Sequence, residues 1–146
     1  MASEDTQIRI NDLSFDIEGK TLLHNTNLSL NGDGITVFLG ANGAGKTIFL
    51  KLLTGLLTPC SGSITFEGGN LSIKTHAFVS QEPVILRRTV LKNMLFVLEK
   101  ITSEKSTLAK ELLSLMGLDK KEHQNAVTLS AGEKQRLCLA RAIITN

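Results

Sequence analysis

The sequence predicts an α/β fold in which a strand-rich part and a helical part are built around one phosphate-binding loop. Three observations predict it. Apolar residues alternate with period two between residues 8 and 30, and from residue 91 they recur at helical spacing. Between these stretches stands Gly40-Ala41-Asn42-Gly43-Ala44-Gly45-Lys46-Thr47, which fits the Walker A pattern G-x-x-x-x-G-K-[ST]. Its surroundings suit it. Ile35, Thr36, Val37, Phe38 and Leu39 read as a buried strand before the loop, and residues 46–53 read as a helix after it.

In chain order, residues 1–6 are polar and acidic, unlike a targeting peptide, and read as a loose end. Ile8, Ile10, Leu13, Phe15, Ile17, Leu22, Leu28 and Leu30, with a turn at Glu18-Gly19-Lys20, predict antiparallel strands with one buried face. Gly32-Asp33-Gly34 turns into the strand of the loop, and Gly55 and Pro59 stop the helix that follows it. Ser63-Ile64-Thr65-Phe66 is a short strand closed by Gly68-Gly69, and a further strand at about 75–79 ends at Ser80-Gln81-Glu82-Pro83. Leu91, Met94, Leu95 and Leu98, then Leu108, Leu112, Leu115 and Met116, mark a helical block from about 87 to 117. A last helix opens at 128–136 with Leu137, Ala140, Ile143 and Ile144 on one face. The expected organisation is a β-subdomain with the loop at 7–85, a helical subdomain at 86–129 and a final helix at 130–146.

Composition narrows the class. The 146 residues are 42% apolar, enough for the core of one domain. A net charge of +2 with both signs interspersed offers no footprint for nucleic acid. Cys60 and Cys138 read as reduced thiols of a cytosolic protein, and His24, His76 and His123 show no metal-ligand spacing. No apolar run approaches the roughly eighteen residues that a membrane span needs.

The residue types of the loop follow from anion chemistry. Gly43 and Gly45 let the backbone take positive φ and approach a phosphate closely, with successive N–H groups pointing inward. The helix opening at Lys46 adds unpaired N–H groups and a positive dipole end. Lys46 would reach the β- and γ-phosphates, and Thr47 would give its hydroxyl to Mg²⁺. The nucleotide-binding set is therefore Gly40, Asn42, Gly43, Ala44, Gly45, Lys46, Thr47 and Ile48.

Leu129-Ser130-Ala131-Gly132-Glu133 is the second motif. Ser130 and Glu133 form a capping box, S-x-x-E, which by itself explains both residues. A capped helix start with small residues at 131 and 132 is also an anion site. Together with Walker A this stretch resembles the ATP-binding cassette family, whose signature is L-S-G-G-Q. Gln81 falls where that family has its Q-loop glutamine, and order and spacing agree over essentially the whole chain.

The resemblance implies a P-loop NTPase core of the RecA-like type, with an antiparallel β-subdomain and an inserted helical subdomain. It also implies ATP and Mg²⁺ as ligands, with Lys46 and Gln81 as catalytic residues and Thr47 and Gln81 on the metal. Two cassettes pair head to tail, so Ser130, Gly132 and Glu133 would meet the nucleotide held by Lys46 of a partner. Ile17 lies where the family stacks an aromatic on adenine, and the chain has no Tyr or Trp. The implied partners are a second cassette, membrane permease subunits and a solute-binding protein, with the protein at the inner face of the cell membrane.

The family's Walker B strand, with its Asp-Glu, is expected after the signature helix, and the sequence stops at Asn146 before that point. Leu95-Phe96-Val97-Leu98-Glu99 imitates it only in composition, because its spacing is helical. The expectation is a cassette truncated before Walker B that binds nucleotide with weak or absent hydrolysis. Residues 35–39 and 75–79 would then lack parallel neighbours and expose apolar edges. Residues 81–90, with Arg87 and Arg88, resemble the importer ATPases for oxyanions such as tungstate, molybdate or phosphate, where the arginine pair would face a permease. Three other readings remain: a soluble cassette protein without membrane partners, a nucleotide-binding protein that does not hydrolyse, and a P-loop kinase or GTPase.

Overall fold

In the computed structural model, which describes residues 7–31, 34–67 and 76–145, the alternating N-terminal stretch forms two long strands. β1 (Gln7–Ile17) and β2 (Lys20–Asn31) pair antiparallel, and β3 (Ser61–Glu67) pairs antiparallel with the other edge of β1, giving the order β2-β1-β3. The β1–β2 turn is the two residues Glu18 and Gly19, both at positive φ (51° and 78°). Such a turn matches the right-handed twist of the strands it joins.

The apolar alternation in β1 changes parity between Ile10 and Leu13. With a side-chain period of two, both can face one core only if an extra residue is inserted. The structure inserts it. The register shifts between Ile10 and Leu13, Asp12 takes φ 48°, and both apolar residues are buried. Asn27 pins the bulge, its Oδ1 accepting from Asp12 N and its Nδ2 donating to Asp12 Oδ1, each at 2.9 Å. Across the strand pair a Cβ on Gly62 would stand 2.5 Å from Asn11 O and Asp12 O, so no side chain fits there.

α1 (Lys46–Leu53) lays Phe49 and Leu52 on Ile10, Leu13 and Phe15 to make the core of the first unit, Met1–His76. Burying each of these side chains stabilises the unit by about 2 kcal/mol. Residues 35–39 differ from the expected buried strand. Ile35, Val37 and Leu39 are 93%, 68% and 89% exposed, and no described strand pairs with them. Only Phe38 turns inward, edge-on to Phe49 at 5.0 Å between ring centres. A parallel strand exists through its neighbours' hydrogen bonds, and without them an apolar run stays irregular. Residues 76–79 likewise form no strand, while Thr75, Gly32, Asp33, Gly68 and Gly69 lie outside the described residues.

The second unit, Ala77–Asn146, contains α2 (Val90–Leu95), α3 (Ser103–Leu115) and α4 (Ala131–Ile144), with one-turn 3-10 helices at Asp119–Lys121 and Ala126–Thr128. Residues 77–85 therefore group with the helices, and α4 shares their core. Thr89 and Thr102 cap α2 and α3, accepting from Lys92 N and Lys105 N. Val90, Met94, Ala109, Leu112, Leu113, Leu118, Leu137, Ala140 and Ile144 pack together. One expected stripe holds and one is displaced. Leu91, Met94, Leu95 and Leu98 pack on the core as expected, and α2, which ends at Leu95, also buries Val90 and Asn93. α3 buries Ala109, Leu112 and Leu113, leaving Leu108 and Leu115 exposed. On α4 the expected face holds at Leu137, Ala140 and Ile144, with Ile143 outside it. No described helix is long and apolar enough to cross a membrane.

Candidate nucleotide-binding site

Gly43 and Gly45 take φ 83° and 82°, the left-handed conformation that the loop chemistry requires of them. Gly45 is the N-cap of α1, and no side chain caps that helix start. Its first-turn N–H groups thus remain oriented along the dipole toward the loop. A Cβ on Gly45 would lie 3.4 Å from Leu22 O, which shows how closely the loop rides on β2. Ala44 N donates to Ala41 O at 3.2 Å and closes the turn at Asn42 and Gly43.

Lys46 is half-buried and folds back over this loop. Its Nζ donates to Gly40 O and Ala41 O, each at 2.7 Å. The ammonium is therefore held at the loop by two neutral carbonyls, which a phosphate oxygen can replace with a charge-assisted bond. Thr47 is exposed and Ile48 half-buried. Beside the loop, Leu23, Thr26, Leu28, Phe38, Lys46 and Phe49 line a cavity of about 210 Å³. Ile17, at the end of β1, is 44% exposed and presents an apolar side chain without a ring.

The predicted capping box is present at the start of α4. Ser130 Oγ accepts from Glu133 N at 3.4 Å, and Glu133 Oε2 accepts from Ser130 N at 2.9 Å. Glu133 has a partner that the sequence did not reveal: its Oε1 accepts from Lys121 Nζ at 2.6 Å. The Lys121 hydrogen bond, then the Ser130 N–H, pull the Glu133 carboxyl down to a pKa of about 2. Its charge is balanced locally and its oxygens are already taken. Gly132 and Ser130 are exposed at the same helix start.

Gln81 has an exposed side chain on an irregular segment whose main chain is gripped by side chains. Ser80 Oγ donates to Glu82 O, Gln135 Nε2 donates to Gln81 O, and Arg141 Nη1 donates to Val84 O. Further along, fully buried Asn93 accepts from Leu86 N and donates to the carbonyls of Leu86, Arg88 and Thr89. Sequence reasoning missed Lys121, Asn93, Gln135 and Arg141. Only Asn93 left a signal, as a polar residue in the i, i+3, i+4, i+7 frame of Val90, Met94 and Val97. Arg87 and Arg88 are exposed, with the Arg88 guanidinium 5.2 Å from the centre of the Phe96 ring. The structure brings 40–48 together in the first unit, and Gln81, Ser130, Gly132 and Glu133 onto or beside α4 in the second.

Comparison with known proteins identifies the family. The sulfate/thiosulfate import ATP-binding protein CysA of Pectobacterium atrosepticum is 37% identical over 135 residues, covering 84% of this chain and 41% of the relative. The tungstate uptake system ATP-binding protein TupC of Peptoclostridium acidaminophilum is 31% identical over 142 residues, 94% of this chain and 66% of the relative. Among solved structures, cbiO1 of Clostridium perfringens, part of the ABC transporter complex cbiONQ, superposes with TM-score 0.82 at 22% identity, over 97% of this chain and 62% of that one. A bacterial Atm1-family ABC exporter with ATP bound gives TM-score 0.83 at 18% identity, over 100% of this chain and 29% of that one. These likenesses show the P-loop NTPase fold. The chain spans 41% to 66% of the length of CysA and TupC. The model of the ABC transporter family matches residues 23–146, so the chain belongs to that family.

Proposed function

We propose that the chain is the nucleotide-binding part of an ABC transporter's ATP-binding subunit, which couples ATP binding and hydrolysis to solute movement across a membrane. The observation that carries the reading is the loop at α1. Two glycines at positive φ, an uncapped helix start and a lysine caught on loop carbonyls form a site built for a polyphosphate. Lys46 leaves Gly40 O and Ala41 O for the β- and γ-phosphates, and the loop N–H groups hold the β-phosphate. Thr47 and Gln81 are the residues that would hold a magnesium ion, and that ion would neutralise phosphate charge. Gln81 also orients the attacking water, and Ile17 gives adenine an apolar contact. Such catalysis is positioning and charge neutralisation.

In this reading two cassettes pair head to tail, and the Ser130 hydroxyl and Gly132 N–H meet the γ-phosphate bound by the partner protomer. Glu133 stays on Ser130 N and Lys121, so its charge does not oppose that phosphate. Permease subunits, reached through the segment bearing Arg87 and Arg88, place the protein at the cytoplasmic face of the cell membrane. A solute-binding protein joins them in an importer. CysA and TupC, named for sulfate/thiosulfate and tungstate, support an oxyanion as the solute.

Analytical ultracentrifugation of the full-length protein with a non-hydrolysable ATP analogue tests the pairing. The analogue should shift the protein from monomer to dimer, and Gly132→Arg should block the shift while leaving analogue binding intact. A wild-type protein whose mass ignores the analogue, or a Gly132→Arg protein that still pairs, contradicts the reading.

A further inference from the structure

α4 carries two working faces. Leu137, Ala140 and Ile144 point into the helical core and are 0%, 0% and 1% exposed. Gln135, Cys138 and Arg141 follow one another at three-residue steps along a second stripe. All three end on the main chain of residues 81–84. Gln135 Nε2 donates to Gln81 O at 2.5 Å, Arg141 Nη1 donates to Val84 O at 2.7 Å, and Cys138 Sγ stands 4.0 Å from that same Val84 oxygen. Residues 81–84 belong to no described strand, so side chains of one helix take up carbonyls that a sheet would otherwise satisfy. The two ends of these bonds lie 54 and 57 residues apart in sequence. Whatever moves α4 therefore moves the backbone of Gln81.

The N-terminus of α4 is Ser130, five residues before Gln135, and the capping box with the Lys121 pair fixes Glu133 and the helix start as one piece. We propose that Gln135 is a positioning residue that links the signature residue Ser130 to Gln81. Engagement of a phosphate at Ser130 would then set where Gln81 stands over the nucleotide that it serves. This rests on the roles given above to Ser130 and Gln81. On those roles the two residues serve different nucleotides of a paired cassette, so the bond reports the state of one nucleotide site to the other. The coupling has a physical carrier: a 14-residue helix, one side-chain donor and one carbonyl.

Backbone amide hydrogen exchange over residues 80–86 of the full-length protein tests it, without and with a non-hydrolysable ATP analogue and magnesium. Without nucleotide, Gln135→Leu removes a tie on the Gln81 carbonyl and should loosen the segment, so that Leu86 N, which donates to Asn93 Oδ1, exchanges roughly tenfold faster, the factor that one hydrogen bond of ordinary net strength sets on opening. The amides of α4 itself should stay protected. With the analogue, wild type should gain protection at 80–86 and Gln135→Leu should not, although both bind the analogue. Gln135→Glu removes the donor at constant size and serves if the leucine variant fails to fold, and Gln135→Lys, which restores a donor, should recover the nucleotide response. Arg136→Gln is the control on the same helix, because Arg136 Nε donates to Met116 O and not to 81–84. Unchanged exchange in Gln135→Leu, or an equal loss of the nucleotide response in Arg136→Gln, overturns the proposal. A wild-type protein that binds no analogue refutes the nucleotide reading and the transmission with it, whereas the exchange without nucleotide separately shows whether Gln135 holds the segment.

Discussion

At the start of α4 the Glu133 carboxylate satisfies two donors at once, Ser130 N and Lys121 Nζ. The capping role and the proposed role at a phosphate are therefore not rivals. The cap turns the carboxylate back toward its own helix, which leaves the Ser130 hydroxyl proton and the Gly132 N–H for an incoming anion. The pKa of about 2 has a consequence for stability. A carboxyl depressed in the folded state contributes stability in full above its unfolded value of about 4.3 and loses it as pH falls through the folded value. Glu133 should accordingly titrate near pH 2 by carbon-detected NMR, and its share of stability should fade between about pH 4.3 and pH 2. Lys121→Met removes the largest cause of the depression, so the midpoint should move up toward the ordinary carboxylate range. An unmoved midpoint would show that Lys121 does not hold Glu133.

At the scale of elements, the fold of the second unit depends on polar side chains that reach main chain. α2 has six residues, too few to persist alone in water. Asn93, fully buried, holds it to the incoming strap through four hydrogen bonds with Leu86, Arg88 and Thr89. Asn93→Ala leaves Leu86 N without its acceptor, while the Leu86, Arg88 and Thr89 carbonyls keep the N–H groups of Arg88, Ala126 and residue 93, and should cost about 1–3 kcal/mol in urea unfolding. A loss below about 0.5 kcal/mol would mean that water or a shifted strap replaces the amide at little cost. The buried face of α2 is wider than the sequence shows: Leu91, Met94, Leu95 and Leu98 pack on the core as their spacing predicts, and Val90 with the polar Asn93 joins them. In α3, Leu112-Leu113 beside Leu115-Met116 left the phase open. By contrast the hairpin, the phosphate loop and the capping box were legible, because each is decided by residues adjacent in sequence. Residues 35–39 were not, since a parallel strand is made by neighbours elsewhere in the chain. Gln135, Arg141 and Lys121 were invisible for a related reason: two of them bind carbonyls, which every residue has, and the third pairs across twelve positions.

For the whole molecule, the two units divide the labour. The β-rich unit carries the loop proposed to bind the phosphates, and the helical unit carries Gln81, Ser130 and Gly132, tied together by α4. Exposed Ile35, Val37 and Leu39 lie immediately before the loop, so an apolar stripe adjoins the site in this chain. The central claim is nucleotide binding through Lys46, and calorimetric titration of ATP with magnesium into the full-length protein tests it most directly. The wild type should bind one nucleotide per chain. Lys46→Ala removes a charge-assisted contact to phosphate and should weaken binding about ten- to a hundredfold. Equal affinity in the two proteins, or no heat of binding in the wild type, would contradict the assignment of this loop as a nucleotide site.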